Sequence, residues 1–223
     1  MNNLDKYTEL LYNKYSNNNK TVKDLLEPII NIKNIPIELL SKYYIRLYTI
    51  ESSFYRDINK ELRENNIMYY LPYIKILYEG IKLRALKFLS YQFLYGCGVL
   101  SVKELDKILK YLKEEPKKGQ PKIIILKSFF SFTKDKSIAE LFFDKKIIKN
   151  SELKNVFYTL EINENENYDL TTYADIDNIS YFPNEKEVLF FPFSSFEIKE
   201  IRKTIINKED NYEMKLIYLG RQF

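Results

Sequence analysis

Pro183-Asn184-Glu185-Lys186-Glu187-Val188-Leu189-Phe190 sets two carboxylates two residues apart, directly before an apolar run. Side chains on a strand alternate with a period of two. On one extended strand Glu185 and Glu187 therefore point the same way, and Val188 and Phe190 point the opposite way, into a core. Pro183 has no N–H to donate to a ladder and suits the first residue of a strand or the loop before it. The stretch reads as two acids at the mouth of a strand on a hydrophobic footing. An amphipathic strand with a solvated acidic end has the same pattern, so the rest of the chain decides between the two readings.

Around this stretch the sequence reads as strands. Tyr173 to Ile176 precedes it as a short strand, and Phe196–Ile201 and Met214–Leu219 follow it, with Asn207 to Asn211 as a hairpin turn. Upstream, Val156–Ile162 alternates, and Ile123–Phe132 is too apolar to be solvated on either face. Tyr91 to Gly98 is aromatic-rich and ends in two glycines, which predicts a strand running into a tight turn. Helices are expected at Ser101–Lys113, capped by Ser101, and at Asp135–Phe143, capped by Thr133 or Asp135. The polar stretches Glu114–Pro121 and Asn163–Asp169 read as loops.

The first 90 residues read differently. Apolar residues recur at helical spacing in Leu4–Tyr15, in a segment begun by Pro36, from Ser52 or Ser53 to Arg63, and in Tyr70–Leu89. Thr21-Val22-Lys23-Asp24 has a capping pattern for one more helix. Helices first and strands after predict an α+β fold. No repeat or low-complexity linker divides the chain. The expectation is a single domain over 1–223, with a helical lobe at 1–90 and a β-rich core at 91–223.

Composition narrows the chemistry. The 223 residues include 20 Tyr and 15 Phe but no His and no Trp. Any general acid or base must be a carboxylate, Lys, Tyr or Cys97, and His-based triads and His-ligated zinc are excluded. A net charge of +4 from 35 basic and 31 acidic residues calls for neither nucleic acid nor anionic membrane. A single cysteine permits no internal disulfide. Met1 to Lys6 lacks the apolar core of a signal peptide, and no apolar run approaches the roughly 18 residues of a membrane span. These features lead us to expect a cytoplasmic protein, a monomer, with no membrane or nucleic-acid partner and no metal.

Four segments in order carry a resemblance. They are Tyr48-Thr49-x-Glu51-Ser52-x-Phe54-Tyr55-Arg56-x-x-Asn59-x-x-Leu62-Arg63, then Leu94-Tyr95-Gly96-Cys97-Gly98-x-Leu100-Ser101, then Lys127-Ser128-Phe129-Phe130-Ser131-Phe132-Thr133, and last Ala174-Asp175-Ile176 through Pro183-x-Glu185-x-Glu187-Val188-Leu189-Phe190. Together they resemble the arginine-specific mono-ADP-ribosyltransferases, from about Tyr44 to Leu219. The resemblance implies a split antiparallel β core with a helical N-terminal lobe, and NAD as substrate. It also implies a protein acceptor bearing an exposed arginine. The positions it assigns to NAD are Tyr95, Gly96, Ser131, Phe132, Thr133 and Glu187, and the catalytic ones are Glu187, Glu185 and Ser131.

The residue types suit those roles. Cleaving the bond from nicotinamide to ribose develops a sugar cation, which a carboxylate in a water-poor site stabilises. Glu187 takes that part. Glu185 would orient the incoming arginine and accept its proton, because a charged guanidinium is a poor nucleophile. Ser131 would hold the glutamate and the ribose. Two positions depart from the family pattern. Phe132 replaces a hydroxyl residue, with Thr133 a milder change beside it, and Gly96 stands where the family has the arginine that grips the NAD phosphates. The nearest basic residues, Arg84 and Lys103, do not match the motif. A Gly96-Cys97-Gly98 turn would offer backbone N–H groups instead. Phe129 and Phe130 are expected in the core rather than against nicotinamide.

Overall fold

The computed structural model describes residues 3–17, 19–50, 52–85, 93–114, 120–145, 152–162, 172–206 and 209–221. Outside them lie Glu51 of the first matched segment, the last residues of the predicted helix ending at Leu89, Tyr91-Gln92 of the aromatic strand, the acidic loop Asn163–Asp169, and the hairpin tip at Asn207-Lys208. The chain forms two compact units. One comprises Met1–Phe88, Lys127–Phe130 and Leu170–Pro192. The other comprises Leu89–Leu126, Ser131–Asp169 and Phe193–Phe223.

The first unit is built on five helices: α1 (Asn3–Tyr15), α2 (Lys20–Ile30), α3 (Ile37–Thr49), α4 (Ser53–Glu64) and α5 (Leu71–Ala85). Each has an apolar stripe at helical spacing, and these stripes meet in one core: Leu11, Leu26, Tyr44, Phe54, Ile58 and Leu77 are fully buried. Ser52 caps α4 by accepting from the Phe54 N–H. The cap of α2 is Asn19, whose side chain accepts from the Val22 N–H, and the Thr21 pattern does not serve. Gly80 is where α5 crosses α3 closely. A Cβ there would stand 2.8 Å from Ser41 Cβ.

This helical core also holds parts of the chain distant in sequence. Phe129, Ala174, Ile176, Leu189 and Phe191 are buried in it. Ala174 and Leu189 belong to β5 (Tyr173–Asp175) and β6 (Glu187–Phe190), an antiparallel pair with Ala174 opposite Leu189.

The second unit orders its strands β2 (Ile123–Leu126), β7 (Ser194–Ile206), β8 (Glu209–Arg221), β4 (Leu153–Glu161), β1 (Phe93–Ser101) and β3 (Phe130–Thr133, entering the unit at Ser131). These pairings are antiparallel except β4 with β8, which is parallel. Helix α6 (Val102–Lys113) starts on a full capping box from Ser101 and Glu104, and α7 (Lys136–Lys145) starts at Asp135, which accepts from the Ser137 N–H. The hairpin strands β7 and β8 are far longer than their apolar segments predict, 13 residues each.

Two expectations change here. The apolar run Ile123–Phe132 is two strands broken at Lys127-Ser128-Phe129, and Ile125 in β2 is 50% exposed. Gly96 and Gly98 are not in a turn. β1 runs through both and pairs residue for residue with β4, from Phe93 opposite Glu161 to Ser101 opposite Leu153. Glycine serves there because aromatic rings lie close against the strand. A Cβ on Gly98 would meet Tyr158 at 3.2 Å.

Candidate active site

The carboxylates are placed by the connection from β5 to β6, within the first unit. Pairing of the two strands ends with the Ile176 N–H donating to the Glu187 carbonyl at 3.0 Å. The chain then closes one turn on Ile176, whose carbonyl accepts from the N–H of both Ile179 and Ser180. That turn carries the Ser180 side chain back toward Glu187, and its hydroxyl donates to Glu187 Oε2 at 3.3 Å. Next come Tyr181 and Phe182, their rings packed edge to face at 5.1 Å. The Tyr181 N–H donates to Thr49 Oγ1 at the end of α3, and the Arg46 guanidinium lies 5.9 Å from the Tyr181 ring.

Glu185 and Glu187 do not share a strand. Pro183–Glu185 is a single 3-10 turn, and Lys186 after it is left-handed, with φ 49°. The strand begins only at Glu187. Proline fixes φ at the start of such a turn, and a left-handed residue reverses the chain direction, so alternation does not reach Glu185. Glu185 is half-buried, whereas Glu187 is 7% exposed, ahead of Val188, Leu189 and Phe190, all fully buried. The solvated strand end is therefore not the environment of Glu187.

Two buried phenols of the helices feel the charge of this carboxylate. Burial pushes the Tyr48 and Tyr73 hydroxyls well up, and the negative charge of Glu187 acts on both in the same direction, so both phenols stay neutral. Tyr48 OH accepts from Asn59 Nδ2 at 2.9 Å, and Asn59 Oδ1 accepts from the Phe129 N–H at 3.1 Å. One amide side chain thus ties α3, α4 and the 127–130 segment together. Phe129 packs against Tyr48 and Phe191, a core residue as expected. Asn59, Tyr48 and Ser180 carry no role in the reading of the sequence, although all three stand in the matched segments. Polar residues inside otherwise apolar helical or loop patterns were the available signal.

The other candidates belong to the second unit. Tyr95 on β1 stands opposite Thr133 on β3. Ser131 is exposed and Phe132 is buried, packed against Phe196 at 6.3 Å. Thr133 is buried, and its hydroxyl accepts from the Asp135 N–H at the start of α7. Gly96 lies against Phe132: a Cβ at 96 would come within 3.1 Å of the ring. The two positions at which the resemblance expects departures, Gly96 and Phe132, are therefore neighbours. Arg84 is in the first unit, on α5. It donates to the Gly80 carbonyl at 2.6 Å and lines a concavity of about 600 Å³ with Glu38, Lys42, Asp175 and Asp177. Among the described residues, no group of three or more potential ligands could hold a metal ion, and no helix is long and apolar enough to cross a membrane.

No protein-family model matches the chain, and no curated protein matches it. Solved structures do. The ADP-ribosyltransferase Vis, a toxin of Vibrio splendidus solved in complex with agmatine, is 17% identical over 99% of this chain and 86% of its own, with a TM-score of 0.58. HopU1 of Pseudomonas syringae pv. tomato is 16% identical over 80% of this chain and 76% of its own, at 0.55. The corresponding domain of Salmonella SpvB is 16% identical over 81% of this chain and 99% of its own, at 0.53. What is shared at such identities is architecture, and by that measure the chain has the ADP-ribosyltransferase fold.

Proposed function

We propose that this protein transfers ADP-ribose from NAD to an arginine side chain of a protein acceptor. One observation carries the reading: among the described residues, Glu187 is the one charged side chain that is buried. Burying a carboxylate is costly, and a core built of Val188, Leu189 and Phe190 gains nothing from it. A carboxylate kept there against that cost is a candidate for chemistry. The resemblance of the Glu185–Phe190 stretch and the fold of the neighbours point to the same reaction.

In it, the bond from C1′ of the ribose to the nicotinamide nitrogen breaks, and nicotinamide leaves with the electron pair. Glu187 stabilises the positive charge left on the sugar. A guanidinium nitrogen of the acceptor bonds to C1′ and loses a proton to Glu185, whose place on the 3-10 turn puts it nearer solvent than Glu187. Ser131 is assigned to the ribose and Tyr95, Gly96, Phe132 and Thr133 to the rest of NAD. Vis was solved with agmatine, which carries a guanidinium. The test is incubation with labelled NAD and agmatine or an arginine-rich protein. Label transfer that Glu187→Gln removes supports the reading, and transfer that survives the substitution unchanged overturns it.

A second reading, a catalytically impaired protein of this fold acting as a binding module, is favoured by the contact between Gly96 and Phe132. Charge-assisted bonds to phosphate are worth about 1.5–3 kcal/mol each. The resemblance expects an arginine at 96, and a Cβ there would press on the buried Phe132 ring at 3.1 Å. This reading expects no NAD binding by calorimetry, and a gain in affinity only when Gly96→Arg is combined with Phe132→Thr.

A further inference from the structure

We propose that Ser180 is a positioning residue for the Glu187 carboxylate. This rests on the reading of Glu187 as the catalytic carboxylate. The hydroxyl has two hydrogen bonds of opposite sense. It accepts from the Phe182 N–H at 3.1 Å and donates to Glu187 Oε2 at 3.3 Å. A backbone N–H can only donate, so the single hydroxyl proton is left for the carboxylate. Both residues are buried, where the choice of partner matters most.

The backbone fixes the contact from both sides. Glu187 is held by the Ile176 N–H on its carbonyl, and Ser180 is held by its own N–H on the Ile176 carbonyl at 2.7 Å. Serine and glutamate thus hang from the same residue, one by the strand pair and one by the turn. The residue after Ser180 is fastened to α3 through Thr49 Oγ1 at 2.8 Å. Ser180 therefore connects the exposed Tyr181 side of the loop to the orientation of the buried carboxylate. Without its hydroxyl Glu187 keeps its place on β6 but loses a donor that fixes its rotamer.

The test compares Ser180→Ala and Ser180→Thr with the wild type in NAD hydrolysis. Ser180→Ala is expected to lower kcat about tenfold, the lower end of the value of a hydrogen bond to a charged group, with KM for NAD changed less than twofold. Ser180→Thr, which keeps the hydroxyl, should recover most of it. A donor to the carboxylate favours its charged form, so the acid limb of the kcat profile should move to higher pH in Ser180→Ala. The groups facing Glu187 from the helices, Tyr48 and Tyr73, are the same in both proteins and neutral throughout. An NMR titration of the Glu187 carboxyl carbon reads the same displacement without turnover. If the wild type does not turn over NAD but the titration moves, the functional reading fails and the positioning role stands. If turnover is present and Ser180→Ala changes neither kcat nor the titration, the positioning role is overturned.

Discussion

The β5–β6 connection and the β1–β3 strand pair both carry packed aromatic side chains, but among the described residues only the first buries a charge. Around Glu187 the aromatic groups are Tyr48 and Tyr73 of the helices, and a hydroxyl from Ser180 reaches the carboxylate. Around Gly96 the buried neighbour is Phe132, with Phe196 beside it and no charged group among the described buried residues of that unit. The difference teaches where burial costs stability and where it supplies it. A buried charge costs stability, while an aromatic ring seated on a glycine is packing. Substitutions at the two places should therefore separate activity from stability.

Glu187→Gln should show the largest effect, on activity alone. Loss of a charge that stabilises a sugar cation is expected to reduce transfer about a thousandfold, while the midpoint of urea unfolding stays within the range of ordinary surface variants. Phe132→Ala should do the reverse in kind. Removing a buried aromatic ring costs about 3–5 kcal/mol, which for a chain of this size lowers Tm on the order of 10 °C. A calorimetric scan reads it. If Phe132→Ala were thermally silent, the packing account of the β1–β3 region would fail. Asn59→Ala comes next, at about 2 kcal/mol, because it leaves Tyr48 OH and the Phe129 N–H without the partner each now has. Denaturant titration against Asn59→Asp, which keeps an acceptor for Phe129 but removes the donor to Tyr48, divides the two bonds.

The parts legible in the sequence were those set by periodicity and capping. The stripes of α1, α3 and α4, and the cap at Ser101, are local, and local physics decided them. The α+β class followed from the same reading. The geometry of the acids did not. Pro183 suits a strand start, but the left-handed Lys186 that separates the 3-10 turn from the strand has no signature in its residue type. The glycines of β1 mislead for a related reason. Glycine marks both turns and close approaches, and the rings of Phe132 and Tyr158, 36 and 60 residues downstream, decide between them only in three dimensions. Ser180 shows the limit from the other side. Its partner is seven residues away, yet only the strand pair at Ile176 brings the two together.

The smallest effect expected is also the sharpest test of the contrast. In a strand interior, Gly→Ala ordinarily stabilises by about 0.5–1 kcal/mol, because glycine gives up more freedom on folding. At Gly96 the added methyl would stand 3.1 Å from the Phe132 ring, tighter than most such contacts, so the buried ring must give way, and overpacking costs about 1–3 kcal/mol. Gly96→Ala should therefore be destabilising by about 1 kcal/mol in the wild type, and stabilising when Phe132→Ala has removed the ring. The two substitutions are coupled, and a double-mutant cycle by urea unfolding should return an interaction of about 1–2 kcal/mol. A cycle that closes to zero would mean the ring and the glycine are independent, and the absence of a side chain at 96 would need an explanation other than Phe132.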